Sequence, residues 1–362
     1  MSASPSRPDV YYGGQAVIEG VMIRAPRHMA VAVRGPGGAI VRHSEELTGF
    51  TTGPLRRIPL VRGAIVLWET LSLGMRAINY SSRIAYEAAA EEAKAEIVEE
   101  YSAREAALIE QRVDEKLATM GPLTETQREV VDEVTAEAKA EARREFQEAA
   151  EEESPELTDA AMWGSMAIGI VLAVAIFFIG PVLLANFLES QGIARAGVVG
   201  IEAALRLVLF VAYIALIGLM PDIRRVFQYH GAEHMTIHAY EGARPLTVPD
   251  IRGFPKEHTR CGTSFLVVVI IIALAAFLAF DLLVDEGIFV RIASRVVLLP
   301  PIAGISYEIL RLGARFESNP LMRALFAPNI ALQALTTRVP EDDQIEVAIA
   351  AFETAVEASG EE

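Results

Sequence analysis

Residues 160–188 read AAMWGSMAIGIVLAVAIFFIGPVLLANFL, 29 residues without a charged side chain. At about 1.5 Å of rise per residue, a helix of that length exceeds the roughly 30 Å hydrocarbon core of a bilayer. The neighbouring segments repeat the theme. Val198–Met220 is apolar except for Glu202 and Arg206, which stand at i, i+4 and can pair with each other. Cys261–Phe280 is again uncharged, whereas Ile292–Leu310 holds Arg295, Glu308 and the pair Pro300-Pro301. Such a broken helix is expected to pack against other helices rather than face lipid. The fold class that follows is mainly α, a polytopic membrane protein with about four transmembrane helices over residues 160–315.

Over half of the 362 residues are hydrophobic, yet the formal net charge is −16. The two facts reconcile because the charge is concentrated. Glu87–Glu156 contains 22 acidic and 8 basic residues, and the remainder is nearly neutral. No basic face is dense enough to bind nucleic acid. Cys261 is the only cysteine, which excludes an intramolecular disulfide and a Cys-rich zinc ribbon. The opening MSASPSRPDVYYGGQ lacks a signal-peptide pattern, so membrane entry is expected from internal segments.

Upstream of the apolar segments, residues 10–55 form a small β-rich unit. HMAVAV and AIVRHS are β-branched runs joined by RGPGGA, a hairpin signal, and Glu19 in GGQAVIEGVM reads as a surface strand position. Residues 59–83 place Arg62, Glu69, Arg76 and Arg83 every seven residues, with Ser72 and Asn79 on the same stripe. That is an amphipathic helix suited to an interface or a bundle interior. Residues 84–156 are rich in strong helix formers and are interrupted at Gly121-Pro122, with Thr124 as N-cap and Gln127 as its capping-box partner. An acidic helical hairpin in water is expected there, available to a cytosolic protein partner. Residues 316–362 read as a cytosolic C-terminal tail.

Loop charge orients the set. The 222–260 loop carries six Lys or Arg residues, against one each in 189–197 and 281–291. That loop, the hairpin and both termini are therefore expected on the cytoplasmic side of the cell membrane, in contact with membrane lipids.

The stretch FQYHGAEHMTIHAYEG, Phe227–Gly242, lies where the second span ends. It contains H-x-x-E-H, in which two His at i, i+4 share one helical face and the intervening Glu can serve as general base. His230 and His238 would be about 12 Å apart along a helix, too far to share one ion. A metal site must therefore draw ligands from elsewhere, and His258 and Cys261 in KEHTRCGTSF enter the bilayer on the same side. The expected constellation is His230, His234, His258 and Cys261 as ligands to zinc or another divalent metal, with Glu233 as catalytic base. The competing reading is a polar helix end at a membrane interface, where His, Tyr and Arg are at home.

Taken in order, GGQAVIEGVMIR, PLVRGAIVLWETLSLGMRAINYS, FQYHGAEHMTIHAYE, HTRCGTSF and GISYEILRLGAR resemble the YqhQ-like family of bacterial membrane proteins of unknown function. The resemblance spans nearly the whole chain except the acidic hairpin, which is expanded relative to the family. It implies the membrane architecture and a label of metal-dependent enzyme that rests on the same histidines. Met235 stands where the family pattern carries Lys, so any contact made by that Lys is missing here. Three functions follow for testing: metal-dependent hydrolysis at the cytosolic interface, a non-enzymatic membrane assembly protein, and, last, a transporter.

Overall fold

Short apolar runs punctuated by turns build an antiparallel sheet of four strands in the order β1-β2-β3-β4: β1 (Gly13–Val17), β2 (Gly20–Arg24), β3 (His28–Arg34) and β4 (Ile40–Glu46). The computed structural model describes residues 12–47, 58–119, 122–152, 159–258, 261–284, 287–315 and 319–360. Residues 10–11 and 48–55 of the expected β-rich unit, Gly121 of the expected turn and residues 153–156 of the hairpin lie outside the described residues. The stretch 35–39 between β3 and β4 turns on Gly37 and Gly38, whose φ of +65° and +80° suits glycine. Glu19 is not a strand position: it has φ +50° in the turn between β1 and β2.

The chain divides into two compact units, Met1–Arg34 with Ile40–Ser82 and Met162–Glu362, and Gly35–Ala39 with Arg83–Ala161. The second unit contains the later part of α1 (Val61–Thr119) and α2 (Glu125–Glu152). Inside it Lys139 pairs with Glu110, and the Tyr101 and Phe146 rings meet at 5.6 Å. The Gln127 half of the expected capping box is present: the Thr124 backbone N–H donates to Gln127 Oε1 at 3.0 Å.

In the first unit, the apolar face of β2 and β3 packs on α6 (Pro221–Glu241) and α12 (Asp342–Ser359). Val21, Ile23, Ala30 and Ala32 meet Tyr229, Ile237, Ile345 and Phe352, all buried. Tyr12, Tyr240 and Phe352 close one end of this core with ring centroids 4.6–5.4 Å apart. The segment expected as a C-terminal tail is thus part of the core. Ile345, Ala348, Phe352 and Ala355 form one buried face, started by a capping box between Glu341 and Gln344. The remaining short helix of this region is α7 (Val248–Ile251), capped by Thr247.

The apolar helices are α3 (Asp159–Val174) continuing through a π turn at Ala175–Ile179 into α4 (Gly180–Ser190), then α5 (Arg195–Ile217), α8 (Gly262–Leu283), α9 (Ile288–Val297), α10 (Leu299–Arg315) and α11 (Pro320–Thr336). The π turn has a local cause, because Pro181 lacks an N–H and crowds the carbonyl four residues earlier. That carbonyl, Phe177 O, accepts from Arg206 Nε at 3.3 Å instead. Among the described residues, two helices are long and apolar enough to cross a membrane, Trp163–Ser190 and Arg195–Ile217. The pair Ile288–Val297 and Leu299–Gly313, bent by 42°, makes a third if it is one span. The break falls before Pro300-Pro301, as the sequence suggested. The third of the four expected spans corresponds to α8, in which Val267–Leu283 is a shorter apolar helix.

A buried ion network joins these helices. Arg295 Nη2 reaches Asp281 Oδ2 at 2.5 Å and Glu202 Oε1 at 3.1 Å. Arg206 Nη2 takes Glu202 Oε1 at 2.5 Å, and Arg291 Nη2 takes Glu189 Oε1 at 2.9 Å. The Arg295 guanidinium also stacks over Phe277 at 4.6 Å. The start of α1 meets α10 at a glycine contact, where a Cβ on Gly304 would lie 2.6 Å from Leu60 O, and Arg62 forks onto Glu308.

Candidate metal centre

The site begins with how α6 is held. The Glu19 carboxylate accepts two hydrogen bonds from Arg225, both 2.6 Å, and one from Tyr229 O–H at 3.2 Å. Arg225 and Tyr229 are one turn apart on α6, so the β1–β2 turn fixes the rotation of that helix. Gly231 lets α6 approach Arg338 O so closely that any Cβ would collide. The next turn therefore presents His230, Glu233 and His234 to the interior, and all three are buried.

Three imidazoles are each oriented by a backbone carbonyl. His230 Nδ1 lies 2.8 Å from Thr336 O, His234 Nδ1 2.5 Å from Lys256 O, and His238 Nε2 2.8 Å from Glu257 O. A carbonyl only accepts, so the facing nitrogen carries the proton and the opposite nitrogen keeps its lone pair. This is the outer arrangement that metal-binding histidines use to fix tautomer and ring orientation. Gln333 on α11 clamps the backbone of His258 on both sides, accepting from its N–H and donating to its carbonyl at 2.9 Å each.

The ligand atoms fall into two groups. His230, His234 and Cys261 place one donor atom each within 4.8 Å of one another, with His230 Nε2 3.2 Å from Cys261 Sγ. His258 instead joins His238 and Glu241 in a second such group, its Nε2 3.5 Å from Glu241 Oε2. The groups adjoin, since the His234 and His258 rings are 5.7 Å apart. Three of the four expected ligands thus share one group, whereas His258 falls in the other, with two residues the sequence did not assign to the site. Thr259 and Arg260 lie outside the described residues.

Glu233, beside these groups, is a buried acid. A cavity of about 180 Å³ is lined by Glu233, His234, His258 and Cys261, closed by Gly14, Gln15 and Arg24 of the sheet and by Leu73 of α1. Among the described residues Glu233 Oε2 and His234 Nε2 are buried without a hydrogen-bond partner, and they lie 4.0 Å apart. Burial pushes the Glu233 carboxyl up to about 8, with His230 opposing and Cys261 adding. Burial and the neighbouring His230 push His234 down to about 2, which keeps it neutral. A neutral imidazole with a bare, buried lone pair fits a cation ligand, and a desolvated carboxyl beside it gains from positive charge.

Sequence reasoning missed the sheet's part in the site. A Cβ on Gly14 would lie 2.5 Å from Glu233 Oε1, and Arg24 on β2 pairs with the buried Glu69 of α1 at the cavity wall. The signal available was the Gly13-Gly14 doublet, since adjacent glycines entering a strand mark close backbone approach.

A family model described as "Protein of unknown function (DUF1385)" matches residues 58–358. The chain belongs to that family. It is also 30% identical over 351 residues to the uncharacterized protein YqhQ of Bacillus subtilis (strain 168), covering 94% of this chain and 91% of that one. No solved structure matches. These relationships bear out the resemblance read from the sequence blocks and leave the chemistry to the site itself.

Proposed function

We propose that this is a multi-pass membrane protein carrying a metal-dependent hydrolytic site at the cytosolic interface. His230, His234 and Cys261 would hold zinc or another divalent ion, a donor set of two imidazoles and one thiolate that leaves a position open. The observation that carries the reading is the pair of buried, unpartnered atoms, His234 Nε2 and Glu233 Oε2, on residues that line one cavity. A divalent cation there supplies Lewis acidity towards a carbonyl or phosphoryl oxygen and acidifies water.

The protein's own residues supply the rest. The carbonyls of Thr336 and Lys256 hold the two imidazoles in the ligating tautomer. Glu233 takes the proton of an attacking water and returns it to the leaving group, and nearby positive charge lowers its carboxyl towards the range a general base needs. Gly14 leaves the space that this carboxylate occupies. The six basic residues of the 222–260 loop support a cytosolic location, and the adjoining apolar helices support a substrate reached at the membrane surface, such as a lipid-linked ester or a peptide amide.

The test is hydrolysis of a p-nitrophenyl ester by zinc-loaded protein in detergent micelles. Glu233→Gln is expected to keep its zinc and lose activity about 100-fold or more. Equal activity in Glu233→Gln and wild type would remove the hydrolytic reading.

A further inference from the structure

The second donor group remains unused by that reading. We propose that His238, Glu241 and His258 form a separate divalent-cation site, so that α6 carries two ions on successive turns. The proposal extends the metal reading of the neighbouring triad but uses none of its ligands, so each can fail without the other.

Four features carry it. The three donor atoms lie within 4.8 Å of one another, the same convergence as in the first triad. His238 and His258 face each other with ring centroids 4.4 Å apart. Both residues are held from outside the group: the His238 ring by Nε2–H donating to Glu257 O and by parallel stacking on Phe254, the His258 backbone by the two-sided clamp of Gln333. Finally, helical rise separates His230 from His238 by about 12 Å, so one ion cannot serve both ends of the cluster.

The donor sets differ in kind. Two imidazoles and a thiolate favour softer ions, whereas two imidazoles and a carboxylate accept zinc, iron(II), cobalt(II) or manganese(II) with positions to spare. Glu241 is less buried than His258, so the second site is reached from the solvent end of α6. The rival for the same geometry is a plain ion pair between Glu241 and a protonated His258, which binds no metal.

Cobalt(II) separates these outcomes because only the first site has a sulfur ligand. Full-length protein in detergent is titrated with cobalt(II), with bound metal measured by mass spectrometry and the thiolate-to-cobalt charge-transfer band followed optically. Wild type is expected to bind two equivalents. Glu241→Gln, which preserves side-chain shape, and His238→Ala should each bind one and keep the charge-transfer band. Cys261→Ser should lose the band while the equivalent that depends on Glu241 persists. One equivalent in wild type, with the band present and no change in Glu241→Gln or His238→Ala, would overturn the second site and leave the first standing. No bound cobalt and no band would overturn both.

Discussion

Two clusters of buried polar groups among the described residues are balanced differently. Between the apolar helices, Arg206, Arg291 and Arg295 face Glu189, Glu202 and Asp281, three cations against three anions. Single atoms there lack a hydrogen bond, such as Glu202 Oε2 and Arg295 Nε, but each belongs to a group whose charge is matched. In the cavity beside α6 the burial is as deep, yet His230, His234 and Glu233 have no cationic side chain paired with them among the described residues. The helix network is complete within the chain. Among the described residues the histidine cluster holds no cationic side chain at its centre, and that difference is what the proposed metal ion would balance.

The largest effect is expected from breaking the complete network. Arg295→Leu leaves Asp281 and Glu202 short of a partner in apolar surroundings, a loss of about 3–5 kcal/mol. It should appear as a sharp fall in folded yield or melting temperature, the same with and without zinc. A variant of normal stability would mean that the network does not hold the helices together.

The incomplete region should respond to zinc instead. In a Glu241→Gln background, which removes the second group, protein at free zinc 100-fold above its dissociation constant gains about 2.7 kcal/mol, read as a rise in melting temperature. In that background His234→Ala should lose most of the rise, while Arg206→Lys in the helix network should retain it.

The pH dependence of metal-free protein sharpens the contrast. Glu233 stays protonated in the folded state up to about 8 but ionises at an ordinary 4.5 when unfolded. Its contribution to stability is therefore lost progressively as pH rises between those values. His234 is neutral in the folded state down to about 2 but takes a proton near 6.5 when unfolded, so its contribution is lost as pH falls below 6.5. The two slopes oppose between 4.5 and 6.5 and give a plateau. From 6.5 to 8 only the Glu233 slope remains, a loss of roughly 2 kcal/mol. Melting curves of chelator-treated protein should show that decline, and Glu233→Gln should abolish it.

A smaller effect tests the cavity wall. Gly14→Ala puts a methyl group against the Glu233 carboxylate, at a cost of about 1–2 kcal/mol. Ester hydrolysis should fall with zinc affinity nearly unchanged. Gly74→Ala, whose nearest neighbours are the movable amide end of Gln15, should be milder in both measurements.

What was legible in the sequence follows physical lines. The long apolar helices and the Glu202–Arg206 pair were readable because composition and i, i+4 spacing are local properties. His230 and His234 were readable for the same reason. The grouping of His258 with His238 and Glu241 was not, because it depends on how Gln333 of α11 holds the chain before α8. The packed role of α12 was hidden by its chemistry: its buried face is largely alanine and it is flanked by acids, a weak amphipathic signal. Glu19 looked like a strand residue because no local pattern shows that a turn carboxylate will clasp Arg225, more than 200 positions away.

The central claim is that the cavity beside α6 binds a divalent ion through His230, His234 and Cys261. The most direct measurement is competitive zinc titration of purified wild type against His234→Ala, both lacking the second group through Glu241→Gln. The account predicts one tightly held equivalent in the first and an affinity at least 100-fold weaker in the second. Equal and negligible zinc in both would contradict it.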